Sequence, residues 1–388
     1  MITVVFDEAF AADPHGHYAR LRAAAPSHRA ELPDGSPARL VCPYDHVREG
    51  LADPLLSLNK KHARGGYAGF SLPPALDANL LNMDPPDHTR IRRLVTKAFT
   101  TRRVENLRPR VVELANSLAD KLSSPSDLTV EYATPIPLTV IGELLGVSRA
   151  DQAEFSVLIT RMFAPEHPRQ VPAAIAAITE FLVRLVASRR ERPGDDLLST
   201  LVAARDDGDR LTEDELVSLA FLLLLAGVEN VQHTIAIGVL LLLSHPEQLA
   251  ALRADPAMVR GAVEEILRYD PSGPLAIRRF ALADGAGREA GETVMLSVAA
   301  ANRDPARFPD PDRFDIRRAD NAHLTFGHGI HHCLGAALAR MELEVALGTL
   351  FRRFPDLSLA VPVDELAWRR SFRSRALAAL PVRLGTTP

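Results

Sequence analysis

The sequence predicts a mainly helical fold with a minor β region, on three observations. Apolar residues recur at three- and four-residue spacing over long stretches, as they do on helices with one buried stripe. One segment, residues 216–243, is apolar almost throughout. Alternating apolar and polar residues, as in a half-buried strand, are confined to a short region after residue 274.

Helices are expected over residues 89–98, 104–122, 136–145, 173–192 and 197–204, each with apolar side chains at helical spacing. Thr212 with Glu215 forms a capping-box pattern ahead of the long apolar segment. Ser244 with Glu247 forms another ahead of the next helix, with Pro246 suited to its first turn. The long helix then runs from about residue 213 to 243, and at 1.5 Å per residue it spans about 45 Å. A helix of that length is an axis of the fold. Asp255-Pro256 opens a further helix that lasts to Tyr269, before the breaker Pro271-Ser272-Gly273-Pro274. Residues 275–283 and 292–298 alternate around a glycine-rich turn, which predicts a hairpin. Residues 302–318 hold Pro305, Pro309 and Pro311 among Asp and Arg, and predict an ordered meander. No repeat, low-complexity tract or composition shift divides the chain. Residues 1–388 are therefore expected to form one domain, its N-terminal β-containing part interleaved with a helical core.

Composition narrows the function classes. With 388 residues, 47% of them hydrophobic, and a net charge of −4, the chain is neither disordered nor fibrous and can build a large core. Its basic residues are nearly all Arg, interspersed with Asp and Glu, so no basic stripe offers a nucleic-acid surface. Cys42 and Cys333 are too few for a disulfide framework, and Asp7 and Glu8 stand where a secretory leader would carry basic residues. A cytoplasmic location follows. The long apolar segment carries Glu229, Asn230, Gln232 and His233 at its middle, where lipid would be costly, so it reads as a buried helix and not as a membrane span.

The densest chemistry lies in Phe326-Gly327-His328-Gly329-Ile330-His331-His332-Cys333-Leu334-Gly335. A lone Cys is usually an inert buried hydrophobe, which is the reading for Cys42. Cys333 differs: two glycines before it permit a tight turn, and helical spacing over residues 334–351 puts it at a helix N-terminus, where a thiolate is stabilised. A thiolate there is a nucleophile or a metal ligand. A zinc site built from His323, His328, His331, His332 and Cys333 would be crowded by the short loop, and no second ligand pair stands at finger spacing.

The segment matches F-x-x-G-x-H/R-x-C-x-G at every defined position, and in this it resembles the haem-binding signature of the cytochrome P450 superfamily. The resemblance implies one cytochrome P450 fold with the long central helix over haem b, iron protoporphyrin IX. It implies that Cys333 is the axial thiolate ligand of the iron, that Phe326 packs beside sulfur and haem, that His331 reaches a propionate, and that Gly335 borders the cofactor. Thiolate donation to the iron favours O–O cleavage. Glu265-Ile266-Leu267-Arg268 is similar to the family's E-x-x-R, which an Arg from the meander completes; here that implies Arg313, in a structural triad. His88 and Arg92, one helical turn apart, resemble the family's propionate-binding H-x-x-x-R. Arg279 matches a further propionate contact on its spacing to Asp284, with Arg278 the alternative if the register slips by one. The match runs from about Tyr44 to the C-terminus, residues 1–43 fitting more loosely. No anchor helix is apparent, as in soluble bacterial members, and that implies ferredoxin or flavodoxin partners with a reductase.

One position departs from the family. Its A-G-x-D/E-T segment reads Ala226-Gly227-Val228-Glu229-Asn230 here. Ala226 and Gly227 are expected beside the haem, Gly227 leaving room for oxygen, and Glu229 retains the acid. Asn230 replaces an alcohol, and an amide does not readily relay a proton through itself. Asn230 is expected to position a water or a substrate hydroxyl that relays in its place, to bind substrate, or to accompany chemistry that needs less of that relay. Thr234, one turn on, lies too far to substitute.

The substrate pocket implied by the resemblance is lined by Phe221, Leu225, Leu275, Ile277 and Phe372, with residues 59–81 as a loop whose Gly65, Gly66 and Gly69 let it move as a lid. Lys60, Lys61, His62 and Arg64 on that loop could meet an acidic group or a carrier protein. The resulting expectation is a monomeric haem-thiolate monooxygenase. It inserts one oxygen atom from O₂ into a medium or large, mainly apolar natural product, polyketide or terpenoid, with electrons from NAD(P)H through ferredoxin. The alternatives are oxidative coupling or another non-hydroxylating oxidation, and a non-catalytic haem or ligand-binding protein of the same fold.

Overall fold

Alternation and pairing build a sheet at the N-terminal end of the chain, and the computed structural model describes it among residues 3–67, 72–163, 167, 169–206, 211–285 and 287–385. Nine short strands are present among these residues: β1 (Thr3–Val5), β2 (Ser27–Glu31), β3 (Pro37–Val41), β4 (Leu56–Ser57), β5 (Ser126–Asp127), β6 (Arg279–Ala281), β7 (Thr293–Leu296), β8 (Ser358–Leu359) and β9 (Pro381–Arg383). Six of them pair in the order β1-β2-β3-β7-β6-β4, and three in the order β5-β9-β8. The expected hairpin is the antiparallel pair β6 and β7, with Arg279 opposite Val294. Beyond it, β3 runs parallel to β7 and β1 parallel to β2. Val4, Ala30, Ala38 and Leu40 turn to one face of this sheet and pack with Phe10, Tyr18 and Leu21.

The chain divides into two compact units. One comprises Met1–Gly69, Leu107–Ala133 and Asn230–Pro388; the other comprises Phe70–Asn106 and Thr134–Glu229. The first holds both sheets, the cysteine loop and the helices Val259–Tyr269 and Ala336–Arg353. The second is helical: Asp87–Thr96, Pro135–Leu144, Gln170–Glu191 and Leu197–Asp206 lie within a few residues of the expected spans, and Arg149–Phe163 is a helix the sequence pattern did not mark. The long helix, Glu213–Ser244, contributes to both, and the dividing line falls between Glu229 and Asn230.

Its start is the capping box the sequence predicts. The Thr212 N–H donates to Glu215 Oε2 at 2.8 Å and the Glu215 N–H to Thr212 Oγ1 at 3.1 Å. Arg90 of Asp87–Thr96 also binds the Glu215 carboxylate, so this cap is a tertiary joint as well. The second expected box does not form. Ser244 remains the last residue of the long helix, and His245 precedes the next helix, Pro246–Ala254, with no side-chain cap.

The E-x-x-R pair is fully buried. Arg268 grips both Glu265 oxygens at 2.8 Å and donates onward to the carbonyls of Asn302, Pro311 and Arg313. The third member of the triad is Arg318, not Arg313. Arg318 Nε lies 3.2–3.3 Å from both Glu265 oxygens, and its other nitrogens bind the carbonyls of Pro309, Asp310 and Arg313. Arg313 supplies only its carbonyl, and its side chain is 67% exposed beside Asp315. Asn321 and the Asp315 N–H complete the shell around Glu265, which pins the meander to the helix Val259–Tyr269.

Candidate functional site

The cysteine loop closes on itself. The Cys333 N–H donates to the Phe326 carbonyl at 2.7 Å, and Gly327 and Gly329 take φ of +73° and +75°, which favour glycine. A Cβ on Gly329 would lie 3.0 Å from Ala52 Cα, so the loop also needs glycine for close approach to the helix Tyr44–Ala52. Cys333 is exposed, whereas Cys42 is wholly buried and its thiol is pushed up to about 12 by that burial. The following helix begins at Ala336 with Gly335 as its N-cap. Cys333 therefore stands two residues outside the cap and not at the helix N-terminus the spacing suggests. Gly335 has an ordinary φ of −86°, and a Cβ there would meet no protein atom within 4 Å. Nothing in the chain's own packing calls for glycine at that point. An exposed soft donor beside a position kept bare without internal cause fits a flat group ligated through sulfur, so the residues present suit haem.

The basic residues sort by strand alternation. Arg279 in β6 is 4% exposed, its guanidinium donating to the carbonyls of Leu51 and Leu56. Arg278 points the other way, to Asp34 at 3.0 Å and the Tyr67 ring at 5.1 Å. The inward arginine is thus Arg279. His88 is buried on Asp87–Thr96 with half-buried Arg92 a turn later; burial first, and then the charge of Arg92, lower its pKa, so the ring is neutral at pH 7. His331 is half-buried, at the end of the turn Gly329–His331.

Midway along the long helix the burial pattern opens. Every residue from 216 to 224 is buried, yet Ala226 and Asn230, one turn apart, are exposed, with Leu225, Gly227 and Glu229 half-buried. Phe221 is 2% exposed, and five residues place it roughly 140° around the helix from Ala226. It belongs to the core and does not share the open face expected for a pocket residue. A Cβ on Gly227 would lie 2.7 Å from Ile141 Cγ1, so glycine there is required by the close approach of Pro135–Leu144. The Asn230 carbonyl accepts from Thr234 Oγ1 at 2.7 Å and from Ser272 Oγ at 3.2 Å, and the two hydroxyls lie 3.0 Å apart. The Thr234 hydroxyl is engaged with the helix backbone behind it. Ser272, inside the predicted breaker, was not singled out by its sequence context.

Leu275 and Phe372 pack together with Phe6 on the N-terminal core, and Ile277 is half-buried ahead of β6. Phe372 and Pro274 line a cavity of about 540 Å³ with Phe6, Phe10 and Trp368. The expected lid is tethered at its start. The Arg64 N–H donates to the Gly291 carbonyl at 2.9 Å, and the Arg64 side chain holds Ala290 and Glu289 of the β6–β7 turn. Lys60 lies 5.0 Å from the Tyr67 ring centroid and His62 Nδ1 is 2.7 Å from Ser57 Oγ. Of the four basic residues once available to an acidic partner, Arg64 is committed to the chain's own turn. Gly65 and Gly66 follow with open space around them, and Gly69 lies outside the described residues.

A mainly helical chain with an exposed thiol on this loop has the form of a helical haem oxidoreductase. A model of the cytochrome P450 family matches residues 138–361. The chain belongs to that family and is a P450 monooxygenase that uses haem iron. It is 48% identical over 383 residues to the cytochrome P450 monooxygenase PikC of Streptomyces venezuelae, covering 96% of this chain and 92% of that one. Identity to the 6-deoxyerythronolide B hydroxylase of Saccharopolyspora erythraea is 43% over 395 residues, covering 97% of each. The tirandamycin C-bound P450 monooxygenase TamI superposes with a TM-score of 0.93 at 42% identity, over 99% of this chain and all of that one.

Proposed function

We propose that Cys333 is the axial ligand of a haem b iron and that the enzyme oxidises a medium or large, mainly apolar natural product, most simply of the polyketide class. The exposed thiol in the glycine loop, beside a bare Gly335, carries the ligand assignment. Relatives that include a 6-deoxyerythronolide B hydroxylase and the polyketide biosynthesis cytochrome P450 PksS of Bacillus subtilis support the substrate class. The group so bound supplies activation of O₂ for insertion of one oxygen atom. His88, Arg92, Arg279 and His331 would hold its propionates, neutral His88 as a hydrogen-bond donor and the arginines as counter-charges. Ala226 and Gly227 would border it, and Leu225, Leu275 and Ile277 would exclude water around the substrate. Glu229 holds the proton, and the Asn230 amide orients the water or substrate hydroxyl that passes it on. Electrons come from NAD(P)H through ferredoxin or flavodoxin and a reductase. The enzyme works as a soluble cytoplasmic monomer, and residues 1–388 act as one domain.

The ligand assignment is tested by the reduced, CO-bound spectrum. The red-shifted Soret band of thiolate ligation is expected in the native protein and lost in Cys333→Ala; a native spectrum without it, or an unchanged variant, would overturn the assignment. A panel of polyketide and terpenoid scaffolds, read by the haem spin-state shift on binding, tests the substrate class.

A further inference from the structure

We propose that Glu264 and Arg340 are positioning residues for the Cys333 loop, acting through the ring of Phe326 to tune how readily the thiolate-bound iron takes up an electron. The proposal rests on the ligand assignment above. Arg340 lies on Ala336–Arg353 and Glu264 on Val259–Tyr269. Arg340 donates from Nε to Glu264 Oε1 at 2.6 Å and from its terminal nitrogen to Oε2 at 3.0 Å. The same guanidinium lies over Phe326, 4.5 Å from the ring centroid. A planar fork can do both at once, its edge on a carboxylate and its face on a ring.

A second neighbour of the ring meets the same carboxylate. His323 Nε2 lies 3.2 Å from Glu264 Oε2, and its ring centre is 5.9 Å from that of Phe326. The Thr325 N–H donates to His323 Nδ1 at 3.3 Å, which leaves the ring proton on Nε2, facing Glu264. Phe326 thus neighbours two groups that meet one carboxylate, Arg340 by two hydrogen bonds and His323 by a close contact, and its carbonyl receives the Cys333 N–H. Burial works against the charge on Glu264, but the nearby His323 and the hydrogen bonds of Arg340 hold its pKa down to about 2. Arg340 and Glu264 are 36% and 30% exposed, and ion pairs so placed add little stability. Their geometry is accounted for by what they do to the ring and loop.

The charges make the test one of sign. A cation above the ring favours the reduced, more negative centre, and the carboxylate offsets it. In redox titrations of the haem-loaded protein the midpoint is expected to rise in Glu264→Gln and fall in Arg340→Gln. It returns close to the native value when both are changed, and Arg340→Lys stays nearer native than Arg340→Gln. The thiolate Soret band is kept throughout. Single variants that move together, or a midpoint unmoved in Glu264→Gln, overturn the proposal. If Arg340→Gln does not fold, the rise in Glu264→Gln and the native-like midpoint of Arg340→Lys decide it. Failure of the ligand assignment itself would show in the native CO spectrum before any of these variants is made.

Discussion

Replacing Arg318 by alanine should destabilise the protein, while the same change at Arg313 should be nearly silent. The Glu265 carboxylate is fully buried and faces two guanidinium groups, so losing Arg318 leaves the Arg268 pair intact. The loss is therefore smaller than the roughly 3–5 kcal/mol of orphaning a buried charge. Yet Arg318 is only 11% exposed, touches both Glu265 oxygens and serves three carbonyls. Charge-assisted hydrogen bonds are worth about 1.5–3 kcal/mol, so a net loss of about 2–3 kcal/mol is expected. Arg313, 67% exposed and 3.7 Å from Asp315, should contribute less than about 0.5 kcal/mol. The assay is urea unfolding of the haem-loaded protein followed by far-UV circular dichroism, with Arg268→Ala as the upper reference. An Arg313→Ala loss equal to or larger than that of Arg318→Ala would refute the assignment.

Two further outcomes are open to direct measurement. His233, 6% exposed on the long helix and near Arg369, is pushed down from 6.5 to about 4, by burial and then by that charge. The folded ring stays neutral where the unfolded ring takes a proton, so stability is complete above about pH 6.5 and falls toward pH 4 by up to about 1.4 kcal/mol per pH unit. His233→Gln should lose that part of the slope; parallel curves for the two proteins would rule it out. At the oxygen-activation segment, Asn230→Thr should change the ratio of product formed to NAD(P)H consumed. An unaltered ratio with a bound substrate would remove Asn230 from proton handling.

How much could be read without coordinates follows from where periodicity carries information. The long helix and its Thr212–Glu215 box were legible because cap and stripe are local. The failed Ser244 box shares that local pattern, but the long helix runs one residue further and absorbs the serine. Phe221 was misplaced because residues 216–225 are almost uniformly apolar, so no contrast marks which face lies open. Arg313 was named and Arg318 was not, because a meander has no repeat and only the path of its turns decides which side chain turns inward. The parallel pairs β1–β2 and β3–β7 were invisible for a related reason: strands of three to five residues are too short to alternate convincingly, and their partners lie far away in sequence. The cysteine loop was the opposite case, with its glycines, carbonyl acceptor and thiol inside ten consecutive residues.

The tether from Arg64 to residues 289–291 bears on how this scaffold could be re-engineered. Residues 59–64 and the β6–β7 turn form one mechanical piece, joined by a backbone hydrogen bond and an arginine grip. A loop graft that exchanged residues 59–81 alone would leave the turn's carbonyls without their donor and the new loop without a footing. Moving both segments together would carry the attachment along, and the glycines after residue 64 mark the first joint at which a transplanted loop could differ in length.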